Sequence, residues 1–237
     1  MFCFDSIVKY SEIDEDRHMT LTAILDLLQD CCIFQSEELG VGLSFLKEKQ
    51  RAWVLSSWQV KIRRYPKLGE QLRACTWPYD FKNFMGYRNF KIEDETGEEI
   101  ACANSVWVFI DITNGRPVRV PEEIKEKYSF EEPYDMECLG RKIRTEEGME
   151  PKEPVRIGRF HIDTNRHVNN GKYVMIAEEY LPESFKVKEL RAEYKKAAVL
   201  SDFLYPRVKV MDRSAMVVLA DADEKPYAVI EFREDAI

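Results

Sequence analysis

The chain carries one polar motif twice. Ile162 to Asn169 reads Ile-Asp-Thr-Asn-Arg-His-Val-Asn, and Ile13 to Thr20 reads Ile-Asp-Glu-Asp-Arg-His-Met-Thr, so Ile, Asp, Arg and His recur at an offset of 149 residues, Ile13 to Ile162. An apolar helical pattern follows each copy directly. A recurrence of this kind predicts one structural unit built twice. The copies are unequal: Asp16 stands opposite Asn165 and Met19 opposite Val168, so only the second pairs Asn with His.

The rest of the chain can be ordered around the two motifs. After the first, Leu21, Ile24, Leu25 and Leu28 fall at i, i+3, i+4 and i+7, which predicts a helix near 20–37 with one buried face, capped by Thr20 or Thr22. From Ala52 to Tyr65 the period drops to two and predicts a long strand; Leu72 to Trp77, Phe84 to Glu93 and Ile100 to Ile112 are three more. Asp94-Glu95-Thr96-Gly97 supplies a hairpin turn, and the unbroken run Val106 to Ile110 predicts burial on both faces. Pro121 to Pro154 is highly charged and predicts a short helix followed by an extended linker.

The second half repeats this order in shorter form. Val155 and Ile157 open a strand, the second motif follows, and Tyr173, Ile176, Ala177 and Tyr180 again take helical spacing until Pro182. Lys195-Lys196 aligns with Arg63-Arg64 at an offset of 132, and Met216–Ala220 with Tyr227–Phe232 makes a last hairpin at an offset near 127, so material is lost mainly after the second helix. The expected division is 1–128, a charged linker 129–153, and 154–237. With 45% apolar residues, 13 Phe, 11 Tyr and 4 Trp, the chain can fill two cores of roughly 100 residues each.

The same sequence excludes several functions. No apolar run approaches the ~18 residues of a membrane span, and the start lacks the basic and then apolar order of a signal peptide, so the expected compartment is the cytoplasm. A net charge of −8 argues against nucleic acid. Cys3, Cys31, Cys32, Cys75, Cys102 and Cys138 show no Cys-x-x-Cys spacing and read as core thiols, neither a metal site nor a disulfide framework. Ser44 lacks the second glycine of a nucleophile elbow.

In order and at matching spacing, Leu28-Gln29-Asp30, Arg64-Tyr65-Pro66 with Gly69-Glu70, Thr76-Trp77, Ser105-Val106-Trp107-Val108, Arg116-Pro117 with Val120-Pro121-Glu122-Glu123, and Asn165-Arg166-His167-Val168-Asn169-Asn170 with Tyr173 resemble the acyl-acyl carrier protein thioesterases of plants and bacteria. The resemblance covers nearly the whole chain. It implies an α+β protein of two tandem hot-dog folds, each a long helix wrapped by a curved antiparallel sheet, packed as an internal pseudo-dimer. It implies hydrolysis of a fatty acyl thioester, the acyl chain housed by the first lobe and the catalytic groups supplied by the second.

The site expected from the residues is Asp163, Asn165 and His167. They alternate at i, i+2 and i+4, so an extended backbone would point all three one way, and Asn169 or Asn170 would cap the helix whose amino end favours a developing negative charge. Asn165 would polarise the carbonyl or fix the attacking water, His167 would position or activate that water, and Asp163 would orient its neighbours. Many relatives carry an acid followed by Cys after the Tyr-Arg-Arg segment of the second lobe, whereas here Tyr194-Lys195-Lys196 leads into Ala197-Ala198. No cysteine follows Cys138, so activated water is the remaining route, and Asp163, Glu179 or Glu193 would have to replace the missing acid. His18 reads as a relic and His161 as structural.

No cofactor and no metal are expected. The expected partner is acyl carrier protein bearing its 4'-phosphopantetheine-linked chain, with Lys186, Lys188, Arg191, Lys195 and Lys196 as a receiving surface or a merely solvated face; a homodimer is allowed. An acyl-coenzyme A thioesterase and a non-catalytic acyl-binding protein are the alternatives.

Overall fold

A computed structural model describes residues 1–235. In chain order the elements are β1 (Phe2–Ile7), α1 (Leu21–Glu38), α2 (Leu43–Glu48), β2 (Arg51–Ile62), β3 (Gln71–Lys82), β4 (Met85–Asp94), β5 (Glu99–Asp111), β6 (Arg116–Pro117), α3 (Glu122–Lys125), β7 (Glu150–Pro151), β8 (Val155–Arg156), α4 (Asn170–Glu178), β9 (Glu189–Tyr194), β10 (Phe203–Val210), β11 (Ser214–Ala220) and β12 (Pro226–Arg233). They form two compact units, Met1–Ser56 with Ile62–Cys138, and Ser57–Lys61 with the chain from Leu139 onward.

The first unit is an antiparallel sheet in the order β1-β3-β4-β5-β2 with α1 against it. Helix α1 starts where its cap dictates: Thr20 Oγ1 accepts the Ala23 N–H at 3.1 Å. Leu21, Ile24, Leu25 and Leu28 are all buried, and Leu27, Cys31 and Cys32 widen the stripe. Asp94 ends β4 by accepting from the backbone of Thr96 and Glu98, and Gly97 takes the left-handed φ of +84° that the turn requires. Val41, Leu46, Phe109, Val120, Ile124 and Tyr128 form a hydrophobic cluster in this unit.

The second unit has the same plan in fewer residues. Strands β9-β12-β11-β10 pair antiparallel, residues 57–61 of β2 extend the sheet beside β9, and β7 and β8 pair with β10. Helix α4 has 9 residues against 18 in α1, so the shortening begins inside the helix and α2 has no counterpart. Residues 139–143 are tied to this sheet by hydrogen bonds. Leu139 N–H donates to Gln59 Oε1 at 3.0 Å, Ile143 N–H donates to Glu193 Oε2 at 3.0 Å, and Arg191 donates to the carbonyls of Leu139, Gly140 and Lys142. Ile143 and Met149 then pack on Met216, Val218, Ala220 and Val229, so the charged segment straps the sheet.

Three expectations need correction. Val106, Trp107, Val108 and Ile110 are only half-buried; burial on both faces falls instead at Ile100–Ala103. The cysteines are not uniformly core thiols. Cys3 and Cys75, directly opposite on β1 and β3, form a disulfide, and Cys138 is exposed. Strands β1 and β10 have no counterpart in the sequence-based reading; β10 alternates strictly between exposed and buried positions up to Val208.

Candidate active site

Each polar motif folds into the same closed turn. In the first unit Asp14 N–H donates to His18 O at 2.8 Å, Arg17 N–H to Asp14 O at 3.1 Å and Thr20 N–H to Glu12 O at 2.9 Å. In the second, Asp163 N–H donates to His167 O at 2.8 Å, Arg166 N–H to Asp163 O at 3.1 Å and Asn169 N–H to His161 O at 2.9 Å. Arg17 and Arg166 carry the left-handed φ, +64° and +63°. This overturns the extended backbone expected for 163–167, because a chain that reverses on itself cannot alternate its side chains.

Within the turn Asp163 is hydrogen-bonded to the backbone. Its Oδ1 accepts the N–H of Asn165 at 2.8 Å and of His167 at 3.2 Å, so the carboxylate holds the loop. Asn165 and His167 are exposed. Val168 between them and the helix is buried, which pins the turn to the core. Asn169 caps α4, its Oδ1 accepting the Gly171 N–H at 2.8 Å. His161 is buried and caps the preceding turn through Nδ1, which accepts the Gly158 N–H at 2.9 Å; burial holds its pKa below the ordinary histidine value.

The segment lacking the acid and the cysteine lies directly on this turn. Val168 N–H donates to Ala198 O at 2.9 Å, and His167 bridges Val199. Ala198 is fully buried and its N–H donates to Tyr173 Oη at 2.8 Å. Two of the three expected substitutes for the acid fail on position. Glu193 is buried and committed to Ile143 N–H and to Lys195 at 3.2 Å. Glu179 ends α4, about 13 Å along the axis from its start at a rise of ~1.5 Å per residue. Asp163 is near, yet committed to the turn. A carboxylate that sequence reasoning passed over, Asp202, sits in the same loop; its Oδ2 accepts the Val199 N–H at 3.0 Å and the Tyr227 hydroxyl at 3.2 Å.

A helix laid on an antiparallel sheet, twice, with a polar turn feeding each helix, defines a tandem hot-dog protein. Sequence comparison gives the family: the acyl-ACP thioesterase N-terminal domain matches residues 2–128 and the C-terminal domain residues 143–203, and the chain belongs to the acyl-ACP thioesterase family. It is 29% identical over 210 residues to a palmitoyl-acyl carrier protein thioesterase of Arabidopsis thaliana, covering 80% of this chain and 50% of that protein. The chain spans about half the length of the curated relatives it matches. Its fold is shared with an acyl-ACP thioesterase from Bacteroides thetaiotaomicron (TM-score 0.88, 21% identity, 98% of this chain and 96% of the other). It is likewise shared with a 12:0-ACP thioesterase from Umbellularia californica (TM-score 0.85, 20% identity, 98% and 96%). Among the described residues no helix is long and apolar enough to cross a membrane.

Proposed function

We propose that the protein hydrolyses a fatty acyl thioester carried by acyl carrier protein, releasing the free fatty acid, with residues 154–237 as the catalytic half and residues 1–128 housing the acyl chain. The observation that carries this reading is the second-copy turn, which spends Asp163 on its own backbone and leaves Asn165 and His167 exposed beside the amino end of α4. Asn165 donates to the thioester carbonyl or to the water, and His167 takes a proton from that water as it adds to the carbonyl carbon. The C–S bond then breaks and the thiol leaves with a proton. Charge on the carbonyl oxygen develops beside the positive end of the helix dipole.

The route uses no thiol, and that is testable by labelling. Burial pushes the Cys31 thiol up to about 12 and Cys32 up to about 11, and Cys102 is also buried, so Cys138 is the free cysteine open to reagents. Iodoacetamide at pH 8 is expected to modify Cys138 first and to leave thioester cleavage within about twofold of the untreated protein. Loss of activity in step with labelling would show a cysteine in the mechanism.

Carrier choice is the second test. The basic residues expected to receive the carrier are mostly spent: Arg191 is inside the strap, Lys195 pairs with Glu193, and Lys196 pairs with Asp221 at 2.9 Å while lying over the Tyr227 ring. Family membership still favours the protein carrier. With matched acyl chains, kcat/KM is expected to be at least about tenfold higher on acyl carrier protein than on coenzyme A, a difference of ~1.4 kcal/mol. A preference for coenzyme A would move the substrate assignment, and acyl binding with no thiol release would make this a binding protein.

A further inference from the structure

The two copies match bond for bond well beyond the polar turn. Val8 N–H donates to Glu70 O at 3.0 Å and Gly69 N–H to Val8 O at 3.0 Å; in the second copy Ile157 N–H donates to Asp202 O at 2.8 Å and Ser201 N–H to Ile157 O at 3.1 Å. Lys67 N–H donates to Glu70 Oε2 at 2.9 Å as Val199 N–H does to Asp202 Oδ2 at 3.0 Å. Arg63 N–H donates to Ile100 O at 2.9 Å as Lys195 N–H does to Tyr227 O at 2.8 Å. Asp202 is therefore the counterpart of Glu70, a carboxylate that both copies use to close the loop.

This equivalence allows one copy to be subtracted from the other. Ile24, Ile62 and Ile100 of the first copy, all buried, correspond to Tyr173, Tyr194 and Tyr227 of the second, at offsets of 149, 132 and 127. Three apolar side chains have become three hydroxyls. Each hydroxyl is bonded to the frame of the site: Tyr173 Oη accepts the Ala198 N–H at 2.8 Å, Tyr194 Oη donates to Asn170 O at 3.0 Å, and Tyr227 Oη donates to Asp202 Oδ2 at 3.2 Å. The partners changed with them. Pro66, the counterpart of Ala198, has no N–H to give, so the Ile24–Pro66 pair needs no acceptor where the Tyr173–Ala198 pair has one. Burying a hydroxyl is costly unless it is bonded, and isoleucine fills such a place without that condition.

We propose that Tyr173, Tyr194 and Tyr227 are positioning residues that fix the Ala198–Asp202 loop and the first residue of α4 around Asn165 and His167, and that this frame separates the working copy from the scaffold copy. The proposal rests on the catalytic reading of Asn165 and His167. Its mechanism is indirect: Ala198 accepts from Val168 and Val199 bridges His167, so freeing the loop lets the imidazole wander. A displacement of about 1 Å at a reacting group costs as much as 100-fold in rate.

The test uses Tyr173→Phe and Tyr227→Phe, each removing one hydroxyl, beside Ile143→Val as a control at another buried position, in the strap. Thiol release is expected to fall about tenfold in kcat for each tyrosine variant with KM within about twofold, and to stay at the wild-type level in Ile143→Val. The chain has 3 histidines, so the imidazole C2–H resonances can be followed one by one. The His167 resonance is expected to shift or split in the tyrosine variants while that of His18 stays. Wild-type kcat with an unmoved His167 resonance would overturn the proposal, and so would an equal loss in Ile143→Val. Wild-type protein that releases no thiol, with His167 still moving in the variants, would reject the catalytic reading and leave the frame standing.

Discussion

Alanine at Asn165 or His167 is expected to remove most thioester cleavage while leaving the fold at full strength. Neither side chain takes a hydrogen bond among the described residues and both are exposed, so each substitution should change stability by no more than about 0.5 kcal/mol. Loss of a group that stabilises the developing oxyanion costs about 10²–10³ in kcat, and loss of a positioned general base about 10²–10⁴. We expect falls of that size for Asn165→Ala and His167→Ala respectively. Asp163 should behave differently. Its Oδ1 holds the backbone of both neighbours, so Asp163→Ala should lose activity and thermal stability together, and Asp163→Asn, which keeps an acceptor oxygen, should retain part of both. His18→Ala in the first copy serves as the control and should stay within about twofold of wild type, since its turn lacks the asparagine. Unchanged thiol release in Asn165→Ala and His167→Ala would place the site elsewhere.

The sequence shows the fold plainly wherever burial is one-sided and periodic. Leu21, Ile24, Leu25 and Leu28 marked α1 to within one residue of its start, and Asp94 to Gly97 marked its hairpin, because helical spacing and turn chemistry are local. The short strand β1 has no such period: Cys3, Phe4 and Asp5 are shaped by pairing with β3, a contact more than 60 residues away in the chain. The residues proposed for the site stand out in the sequence, whereas the backbone that carries them does not. A left-handed Arg166 is uncommon for a residue other than glycine, so nothing in Asp-Thr-Asn-Arg-His announces a closed turn. The tyrosine frame was present in the sequence all along, as three Ile-to-Tyr replacements between copies. The offsets of 149, 132 and 127 align these positions in the sequence, and the matched backbone hydrogen bonds confirm the register and show what each hydroxyl holds.

Replacing Arg191 by methionine is expected to unfasten the strap on the second unit and produce the largest stability loss of any single change named here. Its guanidinium donates through Nη1 to Glu231 Oε2 at 2.9 Å and through Nη2 to the carbonyls of Leu139, Gly140 and Lys142 at 3.1–3.3 Å. The Arg191 and Glu231 side chains are each 11% exposed, so the bonds lost are not traded cheaply for water. Glu231 keeps Arg233, at 2.6 Å, which spares it the full cost of an orphaned charge. The strap keeps its hydrogen bonds to Gln59 and Glu193, and Ile143 then loosens from Met216 and Val218. Breaking a buried, hydrogen-bonded charge costs about 3 kcal/mol, which for a chain of this size lowers the melting midpoint by about 6–12 °C. Trypsin should report the location. Arg141, Lys142 and Arg144 all lie in or beside the strap, and cleavage there is expected to quicken in Arg191→Met before the rest of the chain is cut. Arg207→Ala removes an exposed pair with Glu224 and should leave the midpoint within about 2 °C. Equal melting of the two variants, or cleavage spread evenly over the chain, would show that residues 139–143 contribute nothing to holding the second sheet.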